Sequence, residues 1–199
     1  MTSPKDQRLA RLVACIALGR CVALGELRQG APESEPDREW REAFLMTHLF
    51  AGFPRAVEAA LVLARAGGLG EPDSQEQEEV QAPLAAGQAL FQTVYAEQTG
   101  AVTSALRGAH PLLESWILGH AYGRVLSRPG ISPARRELLA IAALAALGQE
   151  RQLGSHVRGA LRCGAEPLQI IGILDSIADL VDPGDLQRAK RLVSDVCSL

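Results

Sequence analysis

The stretch that decides the fold is residues 132–148, with the sequence SPARRELLAIAALAALG. Ser132 followed by Pro133 is a favoured pair for the N-cap and first residue of a helix. Every residue from Leu138 to Leu147 is apolar, so the helix has no polar face and is expected to be buried on all sides. Gly148 ends it.

The residues that follow are punctuated in the same way. A second helix over about 149–163 ends at Gly164, Pro167 opens a third that is rich in isoleucine, and Pro183 starts a fourth. Only 4% of the residues are aromatic, and no segment predicts a strand. Alanine and leucine favour helices, whereas sheets draw on aromatic and β-branched residues, so the sequence predicts an all-α fold.

A faint internal repeat extends this interpretation to the N-terminal half. RLVACIAL (11–18) matches ELLAIAAL (137–144) at an offset of 126, whereas Leu45 and Pro54 match Leu174 and Pro183 at an offset of 129. The order of the matching segments is preserved, as expected for a duplicated helical unit. The prediction is one compact domain with a degenerate first unit (1–68), an acidic linker (69–86) and a second unit (87–199).

Charge and composition exclude several classes of protein. The net charge of −3, from 20 basic and 23 acidic residues, lacks the basic footprint of a nucleic-acid-binding protein. No apolar run reaches the ~18 residues that span a bilayer, and the N-terminus does not read as a signal peptide. The four cysteines form no CxxC pair, which favours reduced thiols in a cytoplasmic protein. The scattered histidines predict no metal site.

Two segments of the second unit carry a resemblance to a known family. YGRVLSRPGISPARRELLAIAALAALG (122–148) and HVRGALRCGA (156–165) resemble the carboxymuconolactone decarboxylase family, which belongs to the alkylhydroperoxidase D-like superfamily. The resemblance implies an all-α fold of that type, built here from two fused units. Because single-unit relatives assemble into rings, it also implies a homo-oligomer, either a dimer or a trimer.

One motif separates the peroxidase branch of the superfamily from the decarboxylase branch. In the peroxidase branch a Glu is followed by two cysteines and a His, at offsets of 12, 15 and 19. Counted from Glu137, these positions hold Gln149, Gln152 and His156. Peroxide reduction needs a thiolate nucleophile and a resolving thiol, and glutamine supplies neither. The chain is therefore not expected to be a CxxC peroxidase.

The resemblance to the decarboxylase branch implies chemistry on a small carboxylated lactone or keto acid without a cofactor. The enzyme must hold a carboxylate, stabilise an enolate and return a proton to carbon. A histidine suits proton delivery, so His156 is the expected proton donor, and Glu137 is expected to orient it. A guanidinium binds a carboxylate through two hydrogen bonds, which makes Arg128 the expected carboxylate ligand.

Three further residues complete the expected site. Gln149 and Gln152 precede His156 by seven and four residues on one helix, so all three share a face. Their amides could donate hydrogen bonds to a substrate carbonyl. Tyr122 stands at the aromatic-Gly position of the family pattern and is expected at the substrate-binding rim.

Two alternatives remain open at this point. In a ligand-binding or scaffold relative without catalysis, His156 would face solvent or an apolar plug would fill the site. A residual thiol oxidoreductase is disfavoured by the missing thiol pair. The first unit predicts no second site, because Arg11 stands where Glu137 stands and Leu27–Gly30 contains no histidine.

Overall fold

The structure is a computed structural model that describes residues 2–197, so the outermost residues of the predicted units 1–68 and 87–199 lie outside it. Helices and turns account for this part of the chain, without a strand, and the predicted all-α class is confirmed. The helices are α1 (Pro4–Leu18), α2 (Cys21–Gln29), α3 (Asp37–Met46), α4 (His48–Arg65), α5 (Ser74–Gln77), α6 (Pro83–Tyr95), α7 (Thr99–Ala109), α8 (Pro111–Trp116), α9 (Pro133–Ala146), α10 (Glu150–Arg162), α11 (Pro167–Ser176) and α12 (Pro183–Cys197). Within residues 2–197 we find no helix with the length and apolar character needed to cross a membrane.

Helix α9 forms the centre of the core, as the apolar run predicts. Every residue from 136 to 146 is buried, and the helix packs against α1, α10, α11 and α12. The hydroxyl of Ser132 accepts a hydrogen bond from the Arg135 N–H at 3.4 Å, which is the expected N-cap. Burial of its whole circumference explains why α9 needs no polar face.

Helices α1–α4 correspond to α9–α12 at a single offset of 129. Ser3 and Ser132 both cap a helix that opens on proline. Gly19 and Gly148 both follow that helix with φ near +65° (68° and 65°). The helix ends therefore give an offset of 129 for the first segment, three residues more than the offset of 126 that the apolar pattern indicated.

This register changes which residues are equivalent across the two segments. At an offset of 129, Arg8 stands opposite Glu137 in place of Arg11, and Leu27 stands opposite His156. A shift of three residues is almost one helical turn, so it still matches apolar side chains with apolar side chains. The first segment lacks the glutamate and the histidine in either register.

The acidic segment between the two halves is held against α3. Glu76 is buried, and its carboxylate oxygens accept hydrogen bonds from the Arg41 guanidinium at 2.6 and 2.8 Å. The final residues of the predicted linker, from Pro83 onward, form the first turn of α6.

Helix α6 crosses a helical segment that continues α8 and has π-helical geometry over Ile117–Leu126. The Ser127 N–H donates to the Tyr122 carbonyl at 3.0 Å, closing a turn of five residues. The two elements touch through glycines: a Cβ on Gly87 would collide with the Leu118 carbonyl, and a Cβ on Gly123 with the Pro83 carbonyl. This crossing holds the aromatic side chains of both elements beside α10.

Candidate active site

A buried carboxylate–imidazole pair joins the two central helices of the second half. Glu137 lies near the start of α9 and His156 in the middle of α10. Glu137 Oε2 is 2.8 Å from His156 Nδ1, and the two residues are 2% and 9% exposed. A carboxylate on Nδ1 fixes the orientation and tautomer of the ring, which leaves Nε2 as the nitrogen available to a ligand.

The Glu137 carboxylate reaches this position because α10 carries no side chain at Gly159. A Cβ on Gly159 would lie 2.7 Å from Glu137 Oε2 and 2.7 Å from Val94 Cγ1. The ring of Phe50 from α4 contacts the imidazole edge-on, with centroids 5.9 Å apart. The pair is thus held by residues from both halves of the chain.

His156 lines an open cavity of about 550 Å³ between α10, α6, α7 and the π-helical segment. The polar residues of its lining come from α10 and are Arg151, Gln152, Ser155 and His156. The apolar residues that line it are Phe91, Ala101, Val102, Ala105, Leu106 and Ile117. The volume falls in the range of about 300–1,000 Å³ typical of small-molecule sites.

Two tyrosines adjoin the Glu137–His156 pair. Tyr95 lines the cavity, whereas Tyr122 is 4% exposed and packs behind it, 6.2 Å from the Tyr95 ring and 4.9 Å from the Phe91 ring. Burial raises the pKa of Tyr122 well above its usual value, and the negative charge of Glu137 raises it further. Its phenol therefore stays protonated, and the side chain supports the site from behind the cavity wall.

The structure separates the two glutamines that the sequence places together. Gln152 lines the cavity with His156. Gln149 lies at the N-cap position of α10, is exposed and is not among the residues that line this cavity. The exposed end of α10 therefore brings one amide to the site, because Gln149 precedes the first helical turn.

Arg128, expected to hold the substrate carboxylate, lies in another part of the molecule. Its guanidinium donates to Glu42 Oε1 at 2.8 and 3.0 Å and to the Glu76 carbonyl at 2.8 Å. The carboxylate of Glu42 also accepts from Arg136 at 2.7 Å. Arg128 is therefore occupied in an ion-pair cluster on the side of α9 that faces α3, and it does not line the His156 cavity.

Arg128 lines a smaller cavity of about 180 Å³ that also contains two histidines. His48 Nε2 and His120 Nε2 are 2.9 Å apart, and His48 Nδ1 lies 2.5 Å from the Leu45 carbonyl. Burial, the charge on His48 and the charge on Arg124 lower the pKa of His120. No third His, Cys, Asp or Glu joins the pair to complete a metal-binding group within residues 2–197.

The thiol beside the Glu137–His156 pair is a poor nucleophile. Cys163 is the C-cap residue of α10, and burial followed by the charge of Glu137 raises its pKa to about 11. A thiol with this pKa is almost entirely protonated at neutral pH and reacts slowly. The four cysteines are all free thiols.

Sequence reasoning missed Arg151, Tyr95 and Phe50 as residues of the site. The segment FQTVYAEQ (91–98) carries a signal that could have found Tyr95, because it also resembles the family. Arg151 lies between the two glutamines and follows from no motif. Phe50 comes from the other half of the chain, so only the packing of α4 brings it to His156.

The segment that contains Glu137 and His156 matches a known protein family. Residues 111–194 match the model of the carboxymuconolactone decarboxylase family, which confirms the resemblance over this segment. The chain is also 34% identical over 86 residues to Peroxisomal protein 2 of Schizosaccharomyces pombe, a match that covers 43% of this chain and 40% of that relative. The chain therefore matches less than half of the relative's length.

Proposed function

We propose that the protein is a cofactor-independent decarboxylase, or a related lyase, that acts on a small carboxylated lactone or keto acid. The observation that carries the proposal is the buried Glu137–His156 pair at the wall of an accessible cavity. The match of residues 111–194 to the carboxymuconolactone decarboxylase family model supports the same reaction class.

The proposed reaction needs one proton donor and one stabiliser of negative charge. Loss of CO2 breaks a carbon–carbon bond and leaves its electron pair in a conjugated enolate of the substrate. His156, held at Nδ1 by Glu137, donates a proton from Nε2 to carbon, and a proton from the solvent replaces it. The amide of Gln152 would donate a hydrogen bond to the enolate oxygen.

The structure gives no comparable support to thiol chemistry. The positions of the two peroxidase cysteines hold Gln149 and Gln152, and Cys163, the cysteine next to Glu137, has its pKa raised to about 11. A homodimer or homotrimer and a cytoplasmic location stay predictions. The exposed apolar residues Phe53, Val57 and Leu61 recur every four positions along α4 and support self-association.

The test is CO2 release from 4-carboxymuconolactone, generated in situ, and from a panel of β-keto acids, with His156→Gln beside the wild type. Loss of general acid catalysis is expected to lower the rate about 10²- to 10⁴-fold without change in the helical circular dichroism. His110→Gln is the matched control, because His110 is exposed and does not line the cavity. Absence of turnover by the wild type on the whole panel would exclude the proposal.

A further inference from the structure

The cavity beside His156 is polar on the α10 side and apolar along α7. None of the side chains of α7 is buried, although Val102 and Leu106 are apolar and line the cavity. Ala101 and Ala105, also on α7, keep the space between the helices wide. Apolar side chains left around open space favour a ligand with an apolar body.

Arg151 is the arginine that lines this cavity. Two other arginines of α10 are held by backbone carbonyls: Arg158 donates to Gly154 at 2.9 Å and Arg162 to Val94 at 2.8 Å. Arg151 has no hydrogen bond or ion pair with any residue in the described range 2–197, and it lines the cavity with Gln152 and His156. A guanidinium without a partner can bind a carboxylate through two hydrogen bonds.

We propose that this cavity binds an amphipathic carboxylic acid, with its carboxylate on Arg151 and its hydrocarbon body along α7. Arg151 then has the role that the sequence indicated for Arg128. The inference rests on the proposed function, because the same cavity contains His156. It specifies the substrate as an acid with an extended apolar body, larger than a compact, highly polar lactone.

The experiment is calorimetric titration of the wild-type protein with hexanoate, octanoate and decanoate, each below its micellar concentration. These saturated acids carry no electron sink next to the carboxylate, so they report binding without reaction. Burial of hydrocarbon contributes ~0.8 kcal/mol per methylene. The affinity is therefore expected to rise by up to about fourfold per methylene, and decanol, without the charge, is expected to bind more weakly than decanoate.

Two variants test the two ends of the ligand. Arg151→Gln is expected to weaken decanoate binding about tenfold, with the difference shrinking at high salt. Arg191→Gln is its control, since Arg191 is exposed on α12 and outside the cavity. Ala105→Leu is expected to weaken decanoate binding about tenfold while hexanoate binding is kept. Ser104→Leu, a substitution on α7 outside the cavity lining, should change neither.

The outcomes separate this inference from the proposed function. Binding of decanoate that depends on Arg151 and Ala105 supports the inference, even if no acid is decarboxylated. Affinity that is independent of chain length, or unchanged in Arg151→Gln, overturns it. Turnover of a small polar lactone together with no measurable decanoate binding also overturns the inference, and leaves the proposed function intact.

Discussion

Arg136 and Glu137 are neighbours on α9, yet each belongs to a different buried polar cluster. Arg136 is 1% exposed and donates to Glu42 on α3, whereas Glu137 is 2% exposed and bonds His156 on α10. Adjacent residues of a helix point about 100° apart. One helix can therefore supply both clusters from a two-residue sequence.

The two clusters differ in the groups that their carboxylates bind. The Glu42 carboxylate accepts hydrogen bonds from both Arg128 and Arg136, so it binds α3 to α9 and to the loop before α9. The Glu137 carboxylate bonds Nδ1 of His156, and His156 lines a cavity. The Glu42 carboxylate is bound by side chains of the protein alone, whereas the Glu137–His156 pair has one residue at the wall of a cavity.

The largest effect is expected from Glu42→Gln. Burial lowers the pKa of Arg136 and Glu42 opposes this, so the substitution leaves a buried cation without its counter-charge. We expect a loss of about 3–5 kcal/mol in the free energy of unfolding, measured by urea denaturation. The decarboxylation rate of the molecules that remain folded should be unchanged.

The control for Glu42→Gln is Asp179→Asn. Asp179 also pairs with an arginine of the other half of the chain, Arg11, but its side chain is 63% exposed. An exposed pair contributes about 0–1 kcal/mol. Equal losses in the two variants would contradict the distinction between the sealed and the exposed pair.

A smaller effect is expected from Gly159→Ala, which tests the other cluster. The new Cβ would meet Glu137 Oε2 and Val94 Cγ1 at 2.7 Å, so we expect a loss of about 1–3 kcal/mol in unfolding free energy and a lower rate of CO2 release. Alanine favours a helix over glycine, so any loss must come from these contacts.

The equivalent position of the first segment provides the control for Gly159→Ala. Gly30 lies 129 residues earlier, and a Cβ there would have the carbonyl of Glu26 in its own helix, at 3.3 Å, as its neighbour. Gly30→Ala should change stability by no more than about 0.5 kcal/mol. If the two alanine variants behave alike, the close approach of Glu137 to α10 is not what requires glycine at 159.

The smallest effect concerns the thiol beside Glu137, and it leaves the fold unchanged at neutral pH. With a pKa raised from 9.0 to about 11, Cys163 holds about 100-fold less thiolate at pH 8 than an ordinary thiol. Iodoacetamide should therefore label the exposed Cys21 first and Cys163 only as the pH approaches 11, as read by peptide mass mapping. Because the folded state holds this proton more strongly than the unfolded state, stability should fall as the pH rises from 9 to 11. Rapid labelling of Cys163 at pH 8 would contradict its burial beside the carboxylate.

The sequence predicted the pair at the centre of the site but not its full surroundings. Glu137 and His156 were expected together because their spacing of 19 residues matches the motif of the family that the sequence resembles. The structure brings them together because α9 and α10 are consecutive helices joined by a tight turn at Gly148. Arg128 was expected at the same site because it lies in the segment that resembles the family and because a guanidinium binds a carboxylate. In the structure, Glu42 on α3 binds the Arg128 guanidinium instead.

The register of the repeat was also predicted only in part from the sequence. Apolar periodicity at 11–18 and 137–144 indicated an offset of 126, and the helix ends at Ser3, Gly19, Ser132 and Gly148 give 129. Periodicity locates a helical face but repeats every turn, so it fixes a register only to within about one turn. Caps occur once per helix and remove that ambiguity.

By itself, the sequence determined the all-α fold and the ends of the second-half helices, and its resemblance to a known family indicated the Glu137–His156 pair. These features depend on residue propensities, caps and contacts between consecutive helices, all of which are local along the chain. Only the tertiary structure decided that Arg151 faces the cavity, that Arg128 does not, and that Phe50 from the first half reaches His156. Those contacts depend on how helices far apart in sequence pack, and long polar side chains bind whichever counter-charge that packing brings within reach.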